Sequence, residues 1–202
     1  MTGMIAGVVL DGGRATRMGG GDKGLRRLAG QPLIAHVVGR LAPQVAALAI
    51  SANGDAGRFA GYDLPVLGDS MAGQPGPLAG VLAGMDWAAV LGATHLASCA
   101  ADTPFVPRDL VARLEAAGDF GLAASADAGG VMRVHPVCGL WPVRLRDALR
   151  AALEGGARRV GDWAAAHGAV QVVFASDPFD PFFNVNTPQD LILAGRMAPG
   201  AA

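Results

Sequence analysis

Three short stretches of the 202-residue sequence hold the residue types that could do chemistry. The first is Leu10-Asp11-Gly12-Gly13-Arg14-Ala15-Thr16-Arg17-Met18-Gly19-Gly20-Gly21-Asp22-Lys23. An apolar run feeds a glycine-dense segment that carries Arg14, Arg17 and Lys23. Glycines let main-chain N–H groups come close to phosphate oxygens. Arg17 can fork onto a phosphate, and Lys23 can act on one as a point charge. The plainer alternative is a surface loop with solvated charges. Cations and glycines clustered at the carboxyl end of a strand favour the phosphate reading. Two common phosphate motifs do not fit. Lys23 is followed by Gly24, which breaks G-x-x-x-x-G-K-[ST], and no G-x-G-x-x-G joins strand directly to helix.

The second stretch is Ala101-Asp102-Thr103-Pro104. An Asp at the end of an apolar strand is placed to hold a divalent cation. Mg²⁺ takes one or two protein carboxylates and completes its shell with phosphate and water. Asp before Thr-Pro is also a common turn or helix cap; the nearby phosphate-like loop tips the reading to the metal. The third stretch is Phe183-Asn184-Val185-Asn186-Thr187-Pro188. Alternation puts Asn184 and Asn186 on one face, where two amides suit recognition of a polar ligand. The alternative is Asn in a turn before a Thr cap.

Other candidates carry less. Asp69 follows a short strand and can meet a ribose or stay solvated. Arg158 and Arg159 open a helix against the dipole preference, so they bind an anion or lie on the surface. His135 precedes Pro136 in a strand and reads as structural. Cys99 and Cys138 fall in apolar strands and read as inert core.

These stretches need elements to position them. Residues 4–10 form a continuous apolar run, as a central parallel strand does. Further strands are predicted at 45–51, 64–67, 95–101, 120–124, 134–140 and 170–174. Pro32 opens a helix whose apolar face is Ile34, Val37, Val38 and Leu41. Pro77 opens another with Leu78, Val81, Leu82 and Met85 on one side. Helices are also predicted at 106–117, 145–153, 158–166 and 188–197, the last capped by Thr187. Residues 12–24 and 70–76 read as loops, and 198–202 as a frayed tail. The alternation predicts an α/β three-layer sandwich with a mostly parallel, Rossmann-like sheet in a single domain over 1–202. Its nucleotide half would be about 1–105 and its acceptor half about 106–197. Ligands in such folds sit outside the carboxyl ends of the strands. That places the loops after Leu10, Ser51, Leu67 and Ala101 together.

Composition narrows the class. Charged residues are 16% against 51% hydrophobic, which excludes a disordered tail. A net charge of −1 lacks the basic excess of a duplex-binding protein, so no nucleic-acid partner is expected. Two cysteines exclude a disulfide framework or a Cys-rich zinc fold. Mean hydropathy is +0.35, yet the longest uncharged stretches, 70–85 and 87–101, are broken by glycine and too short to span a membrane. Residues 4–10 have no basic segment before them, unlike a signal peptide. The expectation is a cytoplasmic protein with a buried sheet and no membrane partner.

Taken together, the motifs resemble the molybdenum cofactor guanylyltransferases. The resemblance runs through Leu10-x-Gly12-Gly13-x-x-x-Arg17-Met18-Gly19, Asp22-Lys23-Gly24, Pro75-Gly76-Pro77-Leu78-Ala79-Gly80, Asp102-Thr103-Pro104 and Asn184-Val185-Asn186-Thr187-Pro188. It covers nearly the whole chain. It implies transfer of GMP from GTP to the phosphate of Mo-molybdopterin, giving the guanine dinucleotide cofactor and pyrophosphate. A molybdoenzyme or a cofactor-delivery protein would then be a partner. By the same resemblance Leu10, Asp11, Gly12, Gly13, Lys23, Asn53, Asp69 and Asp102 contact GTP, and Asp102 holds Mg²⁺. Asn184 and Asn186 contact molybdopterin. Arg17, Lys23 and Asp102 are the catalytic set, acting by alignment and charge neutralisation. A phosphate monoester is already an anionic nucleophile near neutral pH, so no general base is needed.

The chain departs from the family at Asp11, where alanine is usual. A carboxylate there would sit near the nucleotide, repelling phosphate or crowding the base. Ser51-Ala52-Asn53 replaces a common Asn-x-Asn, and only Asn53 is carried over. Two other functions fit the same residues. One is a related transferase using CTP or a sugar phosphate. The other is a nucleotide-binding protein of cofactor delivery without turnover, which Asp11 would explain.

Overall fold

The computed structural model describes residues 3–12, 22–70, 76–127, 129–157 and 159–198. Its centre is β1, Ile5–Leu10, in which Val8 and Val9 are both fully buried because successive side chains enter opposite faces. β1 lies parallel to β4, Ala47–Ser51, on one side and to β6, His95–Ala100, on the other. The short β5, Val66–Leu67, extends the sheet beyond β4. Beyond β6 come β8, Met132–Pro142, then β7, Gly121–Ala126, and β9, Val170–Phe174. The order is β5-β4-β1-β6-β8-β7-β9, with β8 antiparallel to both neighbours. The mostly parallel sheet read from the sequence is therefore present.

One face of the sheet is covered by α1, Leu33–Leu41, and α3, Leu110–Ala117. Ile34, Val37, Leu41, Leu110 and Leu114 pack there with Val9, Ile50 and Cys99. The other face carries α2, Pro77–Val90, α4, Arg146–Glu154, and α5, Val160–Ala166. Leu82, Met85, Leu149 and Trp163 meet Val8, Leu96 and Trp141 there. These are the three layers. Each fully buried side chain of this size contributes roughly 1.5–3 kcal/mol of transfer free energy.

Three local differences from the sequence reading have physical causes. α3 begins at Leu110 rather than 106, because Pro107 restricts Val106 to extended backbone. Gln44 Oε1 accepts from the Val111 N–H, supplying a cap from a distant segment. Residues 27–32 form a hairpin, β2 Arg27–Leu28 and β3 Gln31–Pro32, ahead of α1. β8 runs from 132 through Pro136 because it bulges there. Its pairs with β7 jump from Leu122↔Gly139 to Ala123↔His135, so Pro136 faces a gap in the ladder. Ser98 Oγ donates to the freed Val137 oxygen at 2.8 Å, and Trp141 Nε1 donates to Ser98 Oγ at 2.7 Å.

The last helix, α6, spans Pro188–Met197 with Thr187 as its cap, as predicted. A third apolar cluster joins Ala194 of α6 to Leu28 of the hairpin, Leu33, Phe105 and Val185. This cluster brings the end of the chain against the segment that follows the first loop. Among the described residues no helix is long and apolar enough to cross a membrane.

Candidate active site

β1 sits where the strand order reverses, with β4 to one side and β6 to the other. The loops leaving these three strands diverge and open a cavity of about 350 Å³. Leu10, Asp11, Gly12, Lys23, Asn53, Asp69, Asp102 and Asn184 all line it. Val137, within the β8 bulge, forms part of the wall. Of the remaining residues singled out above, Gly13, Arg14, Arg17 and Arg158 lie outside the described residues.

Two glycines make the cavity possible. A Cβ on Gly80 would stand 2.8 Å from Ser51 Oγ and 3.0 Å from Leu10 Cδ2, so α2 can approach the strand ends only without one. A Cβ on Gly24 would stand 2.6 Å from Asp11 Oδ1 and 3.0 Å from the Ala101 Cβ. Gly24 thus lets the 3-10 turn Lys23–Leu25 lie directly on the ends of β1 and β6.

That seat delivers Lys23. Its ammonium donates to Asp102 Oδ2 and to Asn186 Oδ1, closing one corner of the site. Asp102 is held in turn by the chain end, since the Val185 N–H donates to the Asp102 carbonyl at 2.9 Å. Val185 is fully buried in the third cluster, and Asn184 and Asn186 on either side of it are exposed. The shared face read from alternation is therefore real. A capping box fixes the register: Asp190 Oδ2 accepts from the Asn186 and Thr187 N–H groups, and Thr187 Oγ1 accepts from the Asp190 N–H. The two amides are not equivalent, for Asn184 borders the cavity whereas Asn186 Oδ1 is turned to Lys23. Residues assigned to nucleotide and acceptor halves thus meet at one ammonium.

The opposite corner is made by Asn53 and Asp69. Asn53 Nδ2 donates to Asp69 Oδ2 at 2.6 Å, and the Asp69 N–H donates to Asn53 Oδ1 at 3.0 Å. The two bonds tie the loop after β4 to the loop after β5, and no described residue bonds to Asp69 Oδ1.

Asp102 Oδ1 is buried and has no hydrogen-bond partner among the described residues. An orphaned carboxylate oxygen at a cavity wall costs free energy unless a proton donor or a cation meets it. Asp11 shows the same condition. It is 6% exposed, Oδ1 accepts from the Gly24 N–H at 3.3 Å, and Oδ2 has no partner among the described residues. Burial, with Asp22 and Asp102 nearby, pushes its carboxyl from 3.8 up to about 6. Its oxygen is tucked beneath Gly24, so the departure at position 11 contributes a buried charge under the Lys23 turn.

A raised carboxyl pKa means that the folded state disfavours ionisation. The penalty is absent below the unfolded value of 3.8, grows up to about 6 and is constant above it. Asp11→Asn keeps an oxygen for the Gly24 N–H and removes the charge. It is expected to raise unfolding free energy by about 3 kcal/mol at pH 7.5, with no gain below about pH 3.5. Urea unfolding of both chains at the two pH values measures this; a gain that is equal at both would mean that packing, not charge, is responsible.

The weaker candidates resolve as follows. Arg159 is exposed and, among the described residues, pairs with Asp162 at 3.5 Å. His135 stacks on Phe182 and bonds to Ser125 Oγ at 2.6 Å, while Ser125 Oγ donates to Asp180 Oδ1 at 2.8 Å. Ser125 is fully buried, so this chain of groups holds the 180–183 turn rather than a nucleophile. Cys99 and Cys138 are buried free thiols, and their mutual contact together with burial pushes the Cys99 thiol up.

Comparison with known proteins supplies the family. The family model described as the MobA-like NTP transferase domain matches residues 7–170. The chain belongs to that family. It is 51% identical over 199 residues to the molybdenum cofactor guanylyltransferase of Rhodopseudomonas palustris (strain BisB5), covering 95% of this chain and 92% of that one. It is 52% identical over 190 residues to the protein of the same name from Cereibacter sphaeroides, covering 94% and 95%. The resemblance read from the motifs therefore holds over almost the whole sequence. Among solved structures, molybdopterin-guanine dinucleotide biosynthesis protein A from Archaeoglobus fulgidus superposes with a TM-score of 0.69 at 24% identity, covering 96% of this chain and 98% of that one. The 4-diphosphocytidyl-2C-methyl-D-erythritol synthase of Anaerococcus prevotii superposes at 0.73 with 10% identity, covering 97% and 96%. At such identities these two carry the fold alone.

Proposed function

We propose that this MobA-like nucleotidyltransferase transfers GMP from GTP to the phosphate of Mo-molybdopterin in the cytoplasm. The observation that carries the reading is the meeting of Lys23, Asp102 and Asn186 at one corner of the strand-end cavity. The near-identical length and about half-identical sequence of named guanylyltransferases select the nucleotide and acceptor.

In this reading the base and ribose occupy the Asn53–Asp69 corner, where Asp69 Oδ1 and the main chain of residues 10–12 can accept and donate. The triphosphate reaches Lys23. An oxygen of the acceptor phosphate attacks the α-phosphorus, the bond to the β-phosphate oxygen breaks, and pyrophosphate leaves. The acceptor's second pKa is about 6, so it is anionic near neutral pH and the residues need move no proton. Alignment and cancellation of negative charge are what the protein supplies.

The unpartnered Asp102 Oδ1 suits a hard cation, and Asp102 is the residue that would hold Mg²⁺. Among the described residues no group of three or more His, Cys, Asp or Glu could hold a metal, so phosphate and water would complete the shell. The ion would neutralise triphosphate charge when bound. Asn184, at the cavity edge, faces the molybdopterin side.

The test is pyrophosphate release with GTP, Mg²⁺ and Mo-molybdopterin supplied together. Turnover with CTP or UTP in place of GTP, or GTP binding without release, would overturn the assignment. Within the same assay, Asn184→Ala is expected to raise the half-saturating molybdopterin concentration about tenfold, a loss of about 1.4 kcal/mol. Its KM for GTP should stay within about twofold. A larger change for GTP than for molybdopterin would assign Asn184 to the nucleotide.

A further inference from the structure

Arg58 has no part in the motifs, yet its guanidinium joins the two loops that flank the cavity. It lies in the 3-10 turn Ala56–Tyr62 that follows Asn53. Nη2 donates to the Asn53 carbonyl at 2.8 Å, and Nη1 donates to the Asp55 carbonyl. The Cζ sits 4.5 Å from the centre of the Phe59 ring, and Phe59 is buried. Held from these sides, the guanidinium places Nε 2.5 Å from Asp22 Oδ2. That approach does not meet hydrogen-bond geometry, so the contact is one of charge.

Asp22 directly precedes Lys23. We infer that Arg58 is a positioning residue for the triphosphate: it cancels the Asp22 charge beside Lys23 and so leaves that ammonium free to meet phosphate. The inference rests on the guanylyl-transfer reading and adds a residue to it. Lys23 already faces the Asp102 carboxylate, and the buried Asp11 carboxyl lies beneath the same turn. An unpaired Asp22 would add a further negative charge at the point where GTP must bring its own. Side-chain exposure is 18% for Arg58 and 33% for Asp22, so salt in solution screens the pair weakly. Asp11 senses both partners with opposite sign, which supports their closeness to the turn. The competing account gives Arg58 only the job of holding the Asn53 corner.

Calorimetric binding of GTP and of guanosine to the full chain separates the two. Arg58→Gln is expected to raise the Kd for GTP about tenfold and to leave that for guanosine within about twofold. Adding Asp22→Asn to Arg58→Gln should restore the GTP value to within about threefold of the unmodified chain, since no charge is left to cancel. Arg58→Lys, which keeps the charge, should also stay within about threefold, and it answers the question should the glutamine variant not fold. Equal losses for GTP and guanosine, no recovery in the double variant, or a tenfold loss with lysine would overturn the inference. Unchanged GTP binding in Arg58→Gln would overturn it while leaving guanylyl transfer standing. Failure of the unmodified chain to bind GTP would remove both.

Discussion

Asp102→Asn is expected to lower guanylyl transfer at least about a hundredfold, a loss of about 2.7 kcal/mol in transition-state stabilisation. The substitution keeps the side chain's shape and leaves the Asp102 carbonyl free to accept from the Val185 N–H, so the chain end stays docked. What changes is charge. Oδ1, buried without a partner, would become neutral or be replaced by an NH₂ group, and neither attracts a divalent cation. Oδ2 would cease to pair ionically with Lys23. The second change has an opposite sign in a different measurement. With the ammonium released from its carboxylate, GTP binding in the absence of divalent ions should be as tight as in the unmodified chain or tighter. Pyrophosphate release in Mg²⁺ and GTP binding in a chelator are the two readouts, with circular dichroism as the check on folding. Retained turnover at ordinary Mg²⁺ would move the ion to another carboxylate, of which Asp69 with its available Oδ1 is the first candidate.

Much of this arrangement could be read in the sequence because it is local. Residues 5–10 are apolar on both faces, as a central parallel strand needs, 95–100 are a short, largely apolar run, and the carboxyl ends of the two strands fix where Asp11 and Asp102 stand. The Thr187-Pro188 start of α6 follows from capping chemistry alone. What the sequence left open depends on contacts between distant segments. Asn186 is separated by most of the chain from Lys23, and alternation gives the face of an amide but not the partner it turns to. The β8 bulge is hidden because Pro136 inside a strand pattern only weakens the pattern; the compensation comes from Ser98 and Trp141 on other positions. Arg58 carries no local signal, since its partners are two main-chain carbonyls and an Asp in another loop. Asp11 is the instructive residue. As a departure from a motif it reads as a carboxylate set against phosphate or base, because the sequence does not show what covers it. Gly24 covers it, and the Asp22-Lys23-Gly24 sequence at once places the cation and makes room for the buried acid.

Lys23→Ala is expected to weaken GTP binding by at least about tenfold, or 1.4 kcal/mol, with a further loss in turnover. The ammonium is the described cation closest to Asp102 and the cavity, and it reaches there because the Lys23–Leu25 turn rests on Gly24. Alanine keeps that backbone, so the fold should survive. It also leaves Asp102 Oδ2 and Asn186 Oδ1 without their shared donor, and the uncompensated carboxylate then faces the incoming phosphates. Two effects therefore add for GTP: an attraction is lost and a repulsion is exposed. For a bare divalent cation they act the other way, because a carboxylate freed from an ammonium binds a metal more strongly. Mn²⁺ titration followed by electron paramagnetic resonance, without nucleotide, should show equal or tighter binding in Lys23→Ala than in the unmodified chain. Arginine at this position should not substitute fully, since its planar fork is longer and cannot converge on one carboxylate and one amide as a compact ammonium does. Should GTP and Mn²⁺ both bind as before, Lys23 is a structural tie between the first loop and the chain end. Should both weaken together, the loss is one of local order, and the opposed signs that define a charge-matching site are absent.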